Sequence, residues 1–177
     1  MNHFQLTAPI AAADHVIGEA HASIEVVEYG DFECPNCKQA APAVKLLLER
    51  FPHRIRFAYR HFPLEEVHPH ALLAAEVAEV AGAQGKFWDM HDILYDNQLH
   101  LKAASLRSYA ERLQLDMARY GGELDDHIYL QRIREHAQGG RDSGVRGTPT
   151  FFVNRNIQDV SFGMHLLFEA VETAVRR

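Results

Sequence analysis

Residues 24 to 62 switch hydrophobic spacing twice, and that switching constrains the fold more than any other stretch. IEVVEYG (24 to 30) is β-branched and aromatic and ends at Gly30, the pattern of a buried strand. From Pro35 onward, Ala40, Ala41, Val44, Leu47, Leu48 and Phe51 recur at three- and four-residue intervals. This predicts an amphipathic helix over about residues 35 to 51, opened by Pro35 in its first turn and ended by Pro52. RIRFAYRHF (54 to 62) then sets Ile55, Phe57 and Tyr59 against Arg54, Arg56 and Arg60, a second strand. A strand–helix–strand unit of this kind brings its strands together in parallel through a right-handed crossover. The chain is thereby expected to build an α/β sheet.

The remainder arranges itself around that unit. From about Val67 to Gln138 the pattern is helical, in HALLAAEVAEVAGAQ, KFWDMHDILYDNQ, SLRSYAERLQL and a long stretch ending near Gly139. A structureless loop of that length has no place in a compact domain, so a helical insertion is expected. Strand signals return at TPTFFVN (148 to 154) and IQDVS (157 to 161), joined by a hairpin turn over Asn154–Asn156. MHLLFEAVETAVRR closes the chain as an amphipathic helix. The expected division is residues 1–64 (strand, Cys-x-x-Cys helix, strand), a helical insertion over 65–140, and residues 141–177 (proline-led strand, hairpin strand, helix).

The 177 residues carry a net charge of −6, which disfavours nucleic acid as a partner, since phosphate binding needs a concentrated basic surface. Arg132, Arg134, Arg141 and Arg146 are interleaved with Glu135 and Asp142 and read as a solvated helix face. No apolar run has the length of a membrane span. At the start, LTAPIAAA has the small-residue character of a secretory core. It lacks a preceding Lys or Arg and contains Thr7 and Pro9, so the expectation is a cytoplasmic protein. A periplasmic or extracellular site would require an export signal removed or missed.

The only two cysteines, Cys34 and Cys37, stand where the first strand meets the helix, in GDFECPNC. The first turn of a helix presents unpaired N–H groups and the positive end of its dipole. Cys34 sits there, so its thiolate is favoured and its pKa should fall. Cys37 lies one turn on, on the same face and deeper. In this reading Cys34 attacks and Cys37 resolves the mixed disulfide, while Pro35 fixes the first turn without adding a donor. A bridge across so short a loop would add little stability as a staple. A zinc site would need two more ligands, for which His68 and His70 in EEVHPHA are the candidates, but Pro69 makes that segment a helix entrance. No metal and no organic cofactor are expected. Other histidines, such as His91 in KFWDMHDILY, read as surface or satisfied polar groups.

Two more features bear on the cysteine pair. Alternation puts Glu28 on the same strand face as Ile24 and Val26, so an acid continues an apolar row toward the helix. A buried carboxylate there has a raised pKa and can accept the Cys37 proton through a water; the alternative is a solvated carboxylate at the strand end. Pro149, in GVRGTPTFF, is tolerated at a strand entrance or in a cis turn. A cis Thr148–Pro149 bond would turn the Thr148 backbone outward, where an extended peptide can pair with it.

VVEYGDFECPNC, YRHFPL, VHPHALLAAEVAEVAG, KFWDMHDILY and GVRGTPTFFVN together resemble the DsbA-like branch of the thioredoxin superfamily, from about Asp14 onward. The resemblance implies a thioredoxin fold, a central mixed sheet flanked by helices, with an inserted helical domain. It implies Cys34 as nucleophile, Cys37 as resolving thiol, Glu28 as the buried acid and Thr148–Pro149 as the cis-Pro loop. Pro35 and Asn36, between the cysteines, and Thr148 would meet the substrate. The strong oxidants of that branch carry His where this chain has Asn36, which offers only a dipole. The expected activity is thiol–disulfide exchange with a thiol- or disulfide-containing protein or small thiol. A second partner would be glutathione, a thioredoxin-type reductant or an oxidant, with the direction left open. The rival readings are a redox-inactive peptide-binding or chaperone module and a zinc-binding module.

Overall fold

The computed structural model describes residues 5–176. Its elements run β1 (His15–Gly18), β2 (Ile24–Gly30), α1 (Pro35–Arg50), β3 (Ile55–His61), α2 (Ala71–Ala83), α3 (Phe87–Asp96), α4 (Ala103–Arg112), α5 (Met117–Asp125), α6 (Leu130–Asp142), β4 (Thr150–Val153), β5 (Asn156–Gln158) and α7 (His165–Val175). The five strands form one mixed sheet in the order β1-β3-β2-β4-β5. This is a thioredoxin fold, an α/β sheet flanked by helices. As the sequence predicts, β2 and β3 are parallel, with α1 as the crossover. The antiparallel pairs are β1 with β3, β2 with β4 and β4 with β5.

Two differences from the sequence reading have physical causes. HVIG forms β1 although it is four residues long and its burial fades toward Gly18, too short for alternation to declare itself. IQDVS yields only Asn156–Gln158, because β5 is an edge strand and the Asp159 side chain takes the Ser161 N–H into a turn.

Both faces of β2 are covered. Ile24 and Val26 pack with Cys37, Ala40, Val44 and Leu47 of α1 and Leu167 and Val171 of α7. Val27 and Tyr29 pack on the opposite face with Leu6, Ile10 and Ala137 of α6. Gly30 is required where β2 ends, since a Cβ there would stand 2.5 Å from the Tyr59 ring. All five helices α2 to α6 fall between β3 and β4.

The insertion is joined to the sheet through buried charge. Glu79 of α2 lies 3.0 Å from His15 Nε2 of β1, 2.8 Å from His61 Nε2 of β3 and 3.0 Å from Arg132 Nε of α6. Arg132 is thus half-buried and paired with a buried carboxylate rather than part of a solvated face. Burial alone would raise the Glu79 pKa, but hydrogen bonds from His15 and His61 hold it well below the usual carboxylate range. Removing one member of such a cluster strands the others in low dielectric. Glu79→Ala is therefore expected to cost about 3–5 kcal/mol, read as a lower denaturant midpoint. An unchanged midpoint would mean that the cluster does not hold the insertion.

Candidate active site

The sheet register assembles the site. β4 runs antiparallel to β2, with Thr150 opposite Tyr29 and Phe151 opposite Glu28. The Thr148–Pro149 segment that leads into β4 therefore arrives at the end of β2, where α1 starts. The Thr148–Pro149 bond is cis. Cys34 is the N-cap of α1, with extended backbone (φ −76°, ψ 120°), and Pro35 follows in the first turn. The Cys34 Sγ–H donates to the Thr148 carbonyl at 3.3 Å. Cys37 is completely buried one turn later.

The two thiols differ electrostatically. A hydrogen bond from the Cys37 thiol lowers the Cys34 pKa to about 5, against the opposing effect of burial. Thr148 and the backbone N–H groups of Cys37 and Asn36 add to the lowering. The buried Thr148 hydroxyl has no hydrogen-bond partner among the described residues, which leaves it able to donate to a thiolate. Asn36 thus acts on Cys34 through its backbone as well as any side-chain dipole. Burial pushes the Cys37 thiol well up, helped by its bond to Cys34 and by the charges of Glu28 and Cys34. One sulfur is built to carry charge and the other to keep its proton.

Glu28 lies under the pair, 2% exposed, with Phe151 and Tyr59 as its neighbours across the strands. Burial, and then the charge of Cys34, raises its pKa to about 8. Its Oε1 has no hydrogen-bond partner among the described residues. In front of the pair a groove of about 750 Å³ runs past Asn36, Gln39, Thr148, Pro149, Gly163 and Met164. Pro35 and Asn36 are exposed at this surface.

Several supporting residues gave no signal in the sequence. Buried Asp31 accepts from Glu33 N at 2.7 Å and Leu64 N at 2.8 Å, and pairs with His68 Nδ1 at 2.8 Å. It ties the turn before α1 to the segment after β3. His68 is therefore engaged by a carboxylate, and the His70 N–H donates to Glu33 at 2.7 Å. Gln98, in the turn after α3, donates from Nε2 to the carbonyls of Phe32 and Cys34 at 2.9 and 2.8 Å. Tyr59 and Tyr95 share a 3.0 Å hydroxyl contact beside them. Apart from Asp31 and Glu33, two positions apart, these partners lie 33 to 66 positions apart in the chain, beyond the reach of any local pattern. His91 departs from its expectation. It is buried among aromatic rings, and its Nε2 has no hydrogen-bond partner among the described residues.

The sequence profile of a family described as thioredoxin matches residues 11–172. Among solved structures, the chain is similar to oxidised BdbD from Bacillus subtilis (TM-score 0.82, 20% identity, 93% of this chain and 94% of that one). It is also similar to the thiol-disulfide exchange protein alpha-DsbA2 from Wolbachia pipientis (TM-score 0.77, 19% identity, 92% and 87%). A third neighbour is a periplasmic thioredoxin-like protein from Salmonella enterica serovar Typhimurium (TM-score 0.75, 20% identity, 93% and 91%). Among sequences it is 51% identical over 161 residues to a Na(+)/H(+) antiporter NhaA 1 of Salinispora arenicola, covering 91% of this chain and 24% of that protein. The chain thus spans about a quarter of the length of the antiporter relatives it matches.

The expectation of a cytoplasmic protein is corrected by these neighbours. One of them is periplasmic by its description, which speaks against that expectation. The segment behind that expectation has a structural role. Met1–Phe4 lie outside the described residues, and LTAPIAAA is part of the folded domain, with Leu6 and Ile10 in its core. The Ala8 and Pro9 carbonyls accept from Arg60, each at 2.9 Å. Its composition serves packing and says nothing about address. Among the described residues, no helix is long and apolar enough to cross a membrane. Fold, profile and neighbours agree: the chain belongs to the thioredoxin family and has the DsbA-like form of its fold.

Proposed function

We propose that this protein is a thiol–disulfide oxidoreductase that works through Cys34 and Cys37. The observation that carries the reading is the asymmetry of the pair, a thiol lowered to about 5 at the helix N-terminus backed by a buried thiol raised well above its ordinary value. In the reducing direction the Cys34 thiolate attacks a substrate disulfide and releases one substrate thiolate. Cys37 then attacks Cys34 Sγ, the bond to substrate breaks, and the second substrate thiolate leaves. Glu28 takes the Cys37 proton in its ionised form, which the mixed disulfide favours by removing the Cys34 charge that, after burial, raises the Glu28 pKa. Thr148, beside Pro149, offers its backbone to an extended substrate in the groove, and Pro35 and Asn36 meet the substrate at the surface. A protein thiol or disulfide is the substrate, and glutathione, a thioredoxin-type reductant or an oxidant resets the pair.

The lowered Cys34 thiol stabilises the reduced pair relative to its disulfide, which favours the oxidising direction. Every tenfold of that stabilisation corresponds to about 30 mV in a two-electron couple.

The test is the pH dependence of Cys34 alkylation by iodoacetamide. The rate is expected to rise with pH and level off with a midpoint near 5, the value given by the Cys37 hydrogen bond. The midpoint is the informative quantity. At pH 7 the thiolate fraction is about 100-fold that of an ordinary thiol, but a less basic thiolate is also a weaker nucleophile. A midpoint near the ordinary value of 9 would end this reading.

A further inference from the structure

A proton taken by Glu28 has to leave a site closed off by the sheet and α1. Glu28 faces Cys34 at the N-cap of α1, Cys37 of α1, Tyr59 of β3 and, farther off, Tyr95 of α3. Tyr59 and Tyr95 are themselves pushed well above the ordinary phenol value by burial, so neither is ionised to accept it, and the Tyr95 hydroxyl donates to the buried Asp31 carbonyl rather than toward solvent. The exit must be a different group.

Glu28 and His91 line the same cavity, of about 60 Å³, walled in part by Phe57 and Trp88 and carrying Lys45 and Asp92 at its rim. That volume has room for a few water molecules. The two buried side chains each hold a polar atom without a hydrogen-bond partner among the described residues, Oε1 of Glu28 and Nε2 of His91. His91 is oriented from its other nitrogen: Nδ1 lies 3.0 Å from Asp92 Oδ1, and Asp92 Oδ2 accepts from Lys45 Nζ at 2.7 Å. An ionised Asp92 makes Nδ1 the protonated nitrogen and leaves the Nε2 lone pair free. The Lys45 and Asp92 side chains are 59% and 40% exposed, so this end of the chain of groups reaches solvent.

We propose that His91 relays the Cys37 proton from Glu28 to solvent through water held in this cavity. The inference rests on the two-cysteine reading above and specifies how its second step disposes of a proton. As Cys37 Sγ forms its bond to Cys34 and the Cys34–substrate bond breaks, the proton moves from Cys37 Sγ to Glu28. A bridging water receives it from Glu28 while giving another to His91 Nε2, and the imidazolium gives up its Nδ1 proton by way of Asp92 to solvent water at the rim. The electron pair leaves on the substrate sulfur, and no other reactant is needed. Besides Asp92 and Lys45, His91 faces His61 of β3 and the rings of Phe32, Tyr59, Phe87, Trp88 and Tyr95. Burial, foremost, lowers its pKa, so it rests neutral and passes a proton on rather than holding it.

The experiment follows the two thionitrobenzoate releases when the reduced protein reacts with dithiobis-nitrobenzoate in a stopped-flow instrument. Cys34 attack produces the first release and Cys37 resolution the second. In His91→Ala the second release is expected to slow relative to the first by at least about 100-fold, the lower end of what a positioned proton-transfer group contributes. Free imidazole should restore it, with a pH dependence following the added base. His91→Gln, which keeps polarity but cannot carry a proton, should be slow without rescue, and it serves if the Ala variant does not fold. An unchanged ratio of releases, or slowing that imidazole leaves untouched, overturns the relay. A wild-type protein that gives only the first release overturns the two-cysteine reading and the relay with it, which separates the two failures.

Discussion

Cys34→Ser is expected to abolish disulfide exchange in both directions while the protein stays folded. The serine hydroxyl remains protonated at any pH the fold tolerates, so the thiolate that starts the reaction is lost. The structural consequence should be slight. Cys34 caps α1 without a side-chain cap hydrogen bond, and Ser is a preferred N-cap residue. The substitution offers the helix an acceptor it lacks, worth up to about 1 kcal/mol. Insulin reduction and oxidative refolding of a reduced substrate measure the loss, and thermal unfolding checks the fold. Activity equal to wild type in both assays would show that the cysteine pair is not the working centre.

Cys37→Ser should do the opposite to the intermediate, accumulating it instead of preventing it. Cys34 keeps its place at the helix N-terminus and its backbone donors, and the introduced serine hydroxyl can still donate to the thiolate, as the Cys37 thiol does. The first attack therefore proceeds. Nothing then lies behind Cys34 to break the mixed disulfide, since Cys37 is the completely buried second sulfur of the pair. Turnover should fall by orders of magnitude while mass spectrometry finds one substrate joined to each protein through Cys34. If no adduct appears in a folded variant, the second-step role of Cys37 is wrong.

The site is legible in part because its residues are adjacent along the chain or follow a short rule. Cys34, Cys37 and the helix start are local, and Glu28 follows from strand alternation. Pro149 is read from the strand it opens. The supports are illegible for the opposite reason. Asp31 meets Leu64 and His68, and Gln98 meets the Phe32 and Cys34 carbonyls, only after the insertion folds back on the sheet. His91 escapes a sequence reading because one polar residue in an amphipathic helix looks alike on its buried and exposed faces. The same ambiguity hides Arg132, which reads as one charge in a basic run yet pairs with the buried Glu79.

By itself the sequence determined the α/β order, the parallel β2–β3 pair and the placing of the two cysteines at a helix N-terminus. Each of these follows from residue spacing and chain chirality within a few dozen residues. Only the tertiary structure decided which side chains surround the pair. The lowered Cys34, the raised Cys37 and Glu28, and the cavity shared with His91 depend on burial and on distances between segments far apart in the chain. The physical reason is that desolvation and hydrogen bonding act over a few ångströms in space, while sequence patterns report only neighbours along the backbone.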